Sequence, residues 1–172
     1  MSKTYVITDT HFNGTIYSTP NYTDLIFENW SSIVQPEDTV IHGGDICSGK
    51  FARVADRIRL MPGRKILTRG NHDCSKKEKY LEVFDEVHGH YVKDRVVYSH
   101  YPINPGIYNC DYNVFGHFHR YPKGIKDSLL SRYRDFWSYE KNFTFVLEDW
   151  AFKPVEVEVF VKKCFEHAQF CL

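Results

Sequence analysis

The sequence has no excess of either charge and no long apolar run. It carries 22 basic and 22 acidic side chains in 172 residues, so we expect no general attraction to nucleic acid or to an anionic membrane. No apolar stretch approaches the length of a transmembrane helix, and the first residues lack the apolar stretch of a signal peptide. These features argue against a dedicated nucleic-acid-binding surface and a membrane partner, although not against a nucleotide substrate.

Paired cysteines are also lacking. The five cysteines form no Cys-x-x-Cys pair, so we expect neither a disulfide framework nor a structural zinc knot, and a reducing cytoplasm is the expected location. What the chain does have is an ordinary balance of 42% hydrophobic and 26% charged residues. Its length suits a single domain over residues 1–172 with a buried core.

Strand-like apolar runs alternate with helix-like stretches in the first half of the chain. We predict strands at 5–8, 39–42, 65–68, 95–99, 112–115 and 143–147. We predict helices at 21–34, 51–61 and 78–87. This alternation indicates an α/β fold with a parallel sheet and right-handed crossovers. Residues 155–161 alternate valine with other residues, which taken alone indicates another strand.

Five short blocks of metal-ligating residue types each begin where a predicted strand ends. They are Asp9-Thr10-His11, Gly44-Asp45, Gly70-Asn71-His72-Asp73, His100 and Gly116-His117-Phe118-His119. In open α/β sheets, ligands bind at the carboxyl ends of strands, where loops that are distant in sequence converge. We therefore expect the blocks to meet at one site.

The residue types in these blocks indicate a centre for two divalent metal ions. Carboxylates and imidazoles suit manganese, which is our first choice, and also iron, zinc or nickel. Asp45 is the natural bridging carboxylate, because one bridging anion lets two cations lie about 3.5–4 Å apart. Asn71 adds an amide oxygen, and His100, His117 and His119 complete the two ligand shells. Two such cations would neutralise phosphate oxygens and lower the pKa of a bridging water.

Together the blocks resemble the full signature of the calcineurin-like metallophosphoesterases over roughly residues 5–120. The subtype resembles the small single-domain phosphoesterases of bacteria and phages. This resemblance implies a four-layer α/β fold, a β-sandwich of two sheets flanked by helices (α-β-β-α). It implies hydrolysis of a phosphodiester or phosphomonoester by a hydroxide that bridges two metal ions. It also implies that residues 155–161 belong to a helix starting near Pro154.

The resemblance further implies a role for each residue of the blocks. The ligands of the first metal ion would be Asp9, His11, Asp45 and His119. The ligands of the second would be Asp45, Asn71, His100 and His117. His72 would be catalytic and protonate the leaving group, with Asp73 holding its ring in position. A histidine oriented by a carboxylate can supply a proton near pH 7, so a phosphodiester substrate, nucleotide-derived among other candidates, is slightly favoured.

Two alternative functions keep the same fold. One is a catalytically silent protein-interaction scaffold, like the retromer subunit that resembles this family, but that type lacks the histidine that stands here as His72. The other is a phosphoprotein phosphatase. It is disfavoured because Ile46-Cys47-Ser48-Gly49 replaces the Asp-Arg-Gly continuation of those enzymes, so an arginine contact to phosphate is missing. Arg69 is either a substitute for that contact or a partner in a surface salt bridge.

The sequence leaves several points open. Residues 120–141 are polar and aromatic, and they either overhang the site and contact substrate or form a solvated helical excursion. Tyr101 either lines the pocket or serves the turn that contains Pro102. His42 is expected to be a buried core histidine or to support the ligands. The expected partner is a small phosphorylated substrate, and the oligomeric state stays open.

Overall fold

The computed structural model describes residues 2–120, 128, 131–133 and 140–166. The strands are β1 (Thr4–Ile7), β2 (Thr39–His42), β3 (Arg64–Thr68), β4 (Glu86–His88), β5 (His90–Lys93), β6 (Val96–Ser99), β7 (Tyr112–Phe115), β8 (Asn142–Thr144) and β9 (Val155–Glu156). The helices with described bounds are α1 (Tyr22–Ile33), α2 (Ala52–Arg59), α3 (Lys77–Leu81) and α4 (Val157–Glu166). Across these ranges, none of the helices combines the length and apolar character needed to cross a bilayer.

The strands form two sheets. The first has the order β4-β3-β2-β1-β9, with β1 to β4 parallel and β9 antiparallel at the edge. The second has the order β5-β6-β7-β8, with β6, β7 and β8 parallel and β5 antiparallel to β6. Two sheets flanked by helices are the architecture that the sequence resemblance implied, and the predicted α/β fold class is confirmed.

Helix α1 shows how the apolar pattern builds the core. It buries Tyr22, Ile26, Phe27 and Trp30, which recur at one-turn spacing and therefore lie on one face. Trp30 is fully buried, and its Nε1 donates to the carbonyl oxygen of Pro62 at 3.1 Å. This bond satisfies the indole N–H inside an apolar environment. The helix predicted here is confirmed.

The helix predicted for residues 78–87 is wrong in its second half. The structure has helix α3 followed by strand β4, which pairs in parallel with β3. The backbone explains the change, since Asp85 N donates to Lys65 O at 2.8 Å and Lys65 N donates to the Asp85 carboxylate at 2.7 Å. Pairing with the neighbouring strand outweighs the helix propensity of the charged residues before it.

The C-terminal stretch contains both a strand and a helix, the two structures that the sequence suggested for residues 155–161. Residues 155–156 form strand β9, and α4 begins at Val157 rather than near Pro154. Within α4, Val157, Phe160 and Cys164 are buried, a spacing that suits a helix face better than a strand. The strand predicted at 143–147 is also shorter, since β8 ends at residue 144.

The carboxyl ends of the parallel strands from both sheets meet at one edge of the molecule. Thr8, which follows β1, donates from its hydroxyl to Phe145 O, just beyond β8, at 3.1 Å. His100, which follows β6, bonds through Nδ1 to Gly43 O, after β2, at 2.9 Å. These buried bonds join the loops of one sheet to the loops of the other. The predicted blocks leave strands at this same edge.

Candidate metal centre

Side chains from the strand ends form two clusters. Within each cluster, the ligand atoms lie within 4.8 Å of one another. The first cluster is Asp9, His11 and His119, and all three residues are buried. The second cluster is Asp45, His100 and His117, of which only His117 is partly exposed. The remaining predicted ligand, Asn71, joins the second cluster, because its Oδ1 lies 2.9 Å from Nε2 of His100. The structure thus brings together every residue predicted to bind metal, while their service as ligands stays a prediction.

Asp45 is a member of the second cluster that also lies beside the first cluster. Its Oδ2 is 3.6 Å from Nε2 of His11 in the first cluster and 3.4 Å from Nε2 of His100 in the second. Its other oxygen, Oδ1, accepts a hydrogen bond from the backbone N–H of His72 at 2.8 Å. That bond holds the carboxylate with one oxygen directed at both clusters. This is the placement that a bridging ligand requires.

Four of the predicted ligands have a left-handed backbone. The φ angles are 53° at Asp9, 38° at His11, 54° at Asp45 and 70° at His117. Non-glycine residues rarely adopt this region, and such conformations persist where the surroundings hold them. Here Asp9 N donates to Gly44 O at 2.9 Å, and His11 N donates to Asp45 O at 3.0 Å. The strand-end loops are therefore locked to each other in strained turns that present the ligand side chains.

Two glycines in the blocks let backbone approach the carboxylates. A Cβ atom at Gly70 would lie 2.2 Å from Oδ1 of Asp45, and one at Gly116 would lie 2.2 Å from Oδ2 of Asp9. Real side chains do not come so close, so any larger residue would displace a ligand. The same Asp9 oxygen accepts from the backbone N–H of His117 at 2.9 Å. The glycines are needed for this close contact rather than for flexibility.

Burial keeps three histidines of the centre neutral. It lowers the pKa of His11 to about 4, of His117 to about 4 and of His119 to about 3. Desolvation disfavours the charged imidazolium, so these rings are uncharged near pH 7. A neutral imidazole has a free lone pair, which is the form that binds metal.

The two carboxylates of the centre respond differently to their surroundings. Burial raises the pKa of Asp9 to about 7. Burial would also raise the pKa of Asp45, but the hydrogen bond and charge of His100 outweigh it and lower that pKa to about 2. Burial would lower the pKa of His100, but its hydrogen bond to Asp45 and the charges of both carboxylates raise it to about 9. Asp45 and His100 thus form a charged pair.

The residues present fit two divalent cations. Asp9 Oδ1 and His11 Nε2 are buried and have no hydrogen-bond partner among the residues that the structure describes, which is costly for polar atoms unless another group satisfies them. A cation bound by both atoms would do so. In the second cluster, the bond from His100 Nδ1 to Gly43 O leaves Nε2 directed at Asn71 Oδ1. Carboxylate, imidazole and amide donors together suit divalent transition metals.

Comparison with known proteins agrees with this geometry. The family model "Calcineurin-like phosphoesterase" matches residues 2–162 of the chain. The chain belongs to the calcineurin-like phosphoesterase family. The family resemblance inferred from the blocks is thereby confirmed, and the match extends well beyond residue 120.

Two relatives cover nearly the whole chain. The uncharacterized protein MJ1445 of Methanocaldococcus jannaschii is 25% identical over 174 residues, which include 94% of this chain and 91% of that protein. The crystal structure of the protein of unknown function AQ665 from Aquifex aeolicus matches with a TM-score of 0.75 and 25% identity, and it covers 95% of this chain and 100% of that one. These relatives support the fold of this phosphoesterase.

His72 lies at the mouth of the phosphoesterase centre. Its Nε2 is 3.9 Å from Oδ2 of Asp45, and 60% of its side chain is exposed. Its ring lies 5.2 Å from the ring of His11. A histidine that is close to the centre but open to solvent can meet a substrate without being a ligand. The position therefore suits the predicted proton donor, although the role itself stays a prediction.

The predicted role of Asp73 is wrong. Its Oδ2 accepts hydrogen bonds from the backbone N–H groups of Asp45 at 2.9 Å and Gly70 at 2.8 Å, and its Oδ1 accepts from Ile46 at 3.0 Å. Within the described ranges, no ion pair or hydrogen bond joins Asp73 to His72. The tight turn after Gly70 directs the carboxylate inward, so Asp73 joins two ligand loops instead of orienting the acid.

Among the described residues Arg69 forms no salt bridge, so that predicted alternative is wrong. Its Nη2 donates to the carbonyl oxygens of Asp73 at 2.6 Å and Ser75 at 3.0 Å. Its guanidinium also lies over the ring of Tyr80 at 5.5 Å. Arg69 therefore supports the loop that carries Asn71 and the acid candidate, while its contact with phosphate stays a prediction.

Sequence reasoning missed Tyr17 and left Tyr101 undecided. Tyr17 is buried, and its hydroxyl donates to Asp9 O and lies 3.4 Å from Nδ1 of His119. Tyr101 donates from its hydroxyl to Asn71 Oδ1 at 3.2 Å, so it lines the centre. Tyr17 lies in an irregular segment between β1 and α1 with no periodic pattern, and nothing in the sequence marks it.

His42 and the 120–141 stretch can now be assigned in part. His42 is buried, bonds through Nε2 to Thr10 Oγ1 at 2.9 Å and accepts from Gly44 N at 3.2 Å. It is thus the supporting histidine that the sequence suggested. In the later stretch, the ring of Tyr133 lies 6.3 Å from that of His117. This part overhangs the centre, while residues 121–127, 129–130 and 134–139 lie outside the described residues.

Proposed function

We propose that this protein is a binuclear metal-dependent phosphodiesterase that also accepts phosphomonoesters. Membership of the calcineurin-like phosphoesterases and the two ligand clusters support the coarser function, a metal-dependent phosphoesterase. The observation that carries the binuclear proposal is Asp45, whose Oδ2 is shared between the clusters. Manganese is the proposed metal, with iron, zinc and nickel as alternatives.

The two ions would be held by the strand-end side chains. The proposed ligands of the first ion are Asp9, His11, Asp45 and His119. The proposed ligands of the second ion are Asp45, Asn71, His100 and His117. When bound, the ions supply charge that neutralises phosphate oxygens and an acidified water for attack.

His72 is the proposed general acid. Its backbone N–H is bonded to Asp45 Oδ1, which fixes where the side chain starts relative to the centre. Its ring is largely exposed, so an ester oxygen can approach it. Proton donation to that oxygen would assist departure of an alkoxide, which is a poor leaving group. This need for an acid is the reason for favouring a diester, nucleotide-derived among the candidates.

Other residues of the chain hold this arrangement in place. Asp73 ties the Asp45 loop to the Gly70 loop through three backbone bonds. His100 is oriented by the bond from its Nδ1 to Gly43 O, so its Nε2 is the atom that would bind the second ion. Such supporting bonds commonly change metal affinity or activity by about 10–100-fold when they are removed. The cytoplasmic location and a small phosphorylated substrate stay predictions.

A chromogenic assay tests the function. Metal-loaded wild type should release p-nitrophenol from bis-p-nitrophenyl phosphate and, more slowly, from p-nitrophenyl phosphate, and Asp45→Asn should release none. Wild-type rates no higher than those of Asp45→Asn on both substrates would contradict an enzyme and leave the scaffold alternative. Activity on phosphopeptides far above both rates would favour a phosphoprotein phosphatase.

A further inference from the structure

Two tyrosine rings flank the second cluster of the metal centre. The rings of Tyr101 and Tyr133 stack at 5.9 Å with 27° between their planes. Tyr101 also meets the rings of His100 at 4.8 Å and His117 at 4.7 Å, both edge-on. Both tyrosines are only partly buried, so each keeps some surface open beside the centre. We call Tyr101 and Tyr133 the aromatic pair.

The aromatic pair is held in place on two sides. The hydroxyl of Tyr101 donates to Asn71 Oδ1 at 3.2 Å, which ties this ring to a proposed ligand of the second ion. The ring of Tyr133 packs 6.1 Å from that of Phe118, which is buried. The two tyrosine side chains are therefore already ordered, so the binding of a ligand ring to the pair costs little conformational entropy.

The aromatic pair and His72 lie at different ends of the centre. The ring of His72 contacts His11, in the first cluster. The aromatic pair contacts the histidines of the second cluster, and Asp45 lies between the two clusters. A phosphodiester at the centre with one ester group near His72 has its other ester group near the pair. The group that meets the pair is then the one that stays on phosphorus after cleavage.

We propose that the aromatic pair selects phosphodiesters whose retained ester group carries a planar aromatic ring, such as a nucleobase. The inference rests on the proposed phosphodiesterase function and names its substrate class. Aromatic side chains stack on planar rings with little dependence on ring identity. A stacked ring is therefore expected to improve substrate binding by about tenfold.

The test uses two diesters with the same leaving group. Thymidine 5′-(p-nitrophenyl phosphate) retains a nucleoside, and ethyl p-nitrophenyl phosphate retains a small alkyl group. Because both retained groups are alkyl esters, the ratio of their kcat/KM values reports contacts with the nucleoside, and the variants of the pair isolate the contribution of the base. For manganese-loaded wild type we expect a ratio of about ten, arising mainly from KM.

Substitutions at the pair should lower this ratio, which does not change when activity falls equally on both diesters. Tyr133→Leu should bring the ratio close to one, while Tyr133→Phe, which keeps the ring, should preserve it. Tyr101→Leu is an independent second variant with the same expected direction. The matched control is Tyr91→Leu, a partly buried tyrosine of strand β5 that contacts His88 and Tyr98, and it should keep the wild-type ratio.

A binding measurement separates this inference from the function on which it rests. Calorimetry on the manganese-loaded protein should show tighter binding of phenylphosphonate than of ethylphosphonate, and Tyr133→Leu should abolish the difference. If both diesters are cleaved with equal kcat/KM and both phosphonates bind equally, the selection by the pair is wrong and the phosphodiesterase stands. If neither diester is cleaved but the Tyr133-dependent binding preference is present, the function is wrong and the aromatic site stands. If cleavage and preference are both missing, both proposals are wrong.

Discussion

The two ends of the metal centre are its first and second clusters. They have similar ligands but differ in how deeply the surrounding residues bury them. At the first end, Tyr17 is buried, donates to Asp9 O and packs edge-on against Phe152 at 5.2 Å. At the second end, Asn71 is exposed and Tyr101 is only partly buried. The difference indicates a closed end on the Tyr17 side of the first cluster and an open end on the Tyr101 side of the second; both ends would hold a cation, and substrate would enter from the side of His72 and Tyr101. Each of the following predictions tests whether the two ends are separable.

The largest effect is expected from Asp45→Asn, because this carboxylate belongs to both ends. The substitution keeps the size of the side chain and removes its charge, so the protein should lose bound metal and turnover together. Metal analysis after dialysis and the bis-p-nitrophenyl phosphate assay measure the two quantities. Asp38→Asn is the matched control, since Asp38 is equally buried but accepts from the backbone of Lys3 and Gln35. Full metal content and activity in Asp45→Asn would show that the ends share no ligand.

The next effect is expected from His72→Ala, which should lower turnover without lowering metal content. Loss of a general acid reduces the rate by about 10²–10⁴-fold. Diesters with a poor leaving group depend more on the acid than diesters with a good one. The loss of rate should therefore grow with the leaving-group pKa in a series of aryl esters. His90→Ala, an exposed histidine on strand β5, should leave both quantities unchanged. A loss of metal in His72→Ala would make His72 a ligand instead.

Gly116→Ala should damage the closed end selectively. The added Cβ would lie 2.2 Å from Asp9 Oδ2, so the carboxylate must move and the first ion should bind about 10–100-fold more weakly. Titration with manganese, followed by electron paramagnetic resonance, would detect one strong and one weakened site. The control is Gly89→Ala, where an added Cβ meets no atom of the described residues within 4 Å. Equal weakening of both sites would argue that the ends are one unit.

The smallest effects come from removing single hydroxyl groups. Tyr17→Phe leaves the buried carbonyl of Asp9 without this donor, so affinity for the first ion should fall about fivefold, in line with about 1 kcal/mol for such a bond. Tyr101→Phe removes a bond at a more exposed place, where water can replace it, and should change metal affinity less than twofold. The same manganese titration measures both variants. A larger effect for Tyr101→Phe would reverse the assignment of closed and open ends.

The site was accessible from sequence because its residues follow strand ends. Strands at 39–42 and 112–115 have the predicted bounds, and the parallel arrangement brings Asp45 and His117 to the same edge. Residue type and position after a strand were therefore enough to predict that the five blocks meet, while the resemblance supplied the division into ligands and proton donor. No contact between the blocks had to be known for this prediction.

The turns and the cover of the site could not be predicted in the same way. The resemblance implied that Asp73 holds the ring of His72, but the turn after Gly70 directs its carboxylate to backbone N–H groups. The positive φ angles of the ligands arise from bonds between distant loops. Tyr133 stacks on Tyr101, which is distant from it in sequence, and no local sequence pattern predicts such a contact.

The most direct measurement is anomalous diffraction at the manganese edge from crystals of the metal-loaded protein. We expect two peaks, one on each side of Asp45 Oδ2. One should be surrounded by Asp9, His11 and His119, and the other by Asn71, His100 and His117. A single peak, or two peaks that do not share Asp45, would contradict a centre built on one bridging carboxylate.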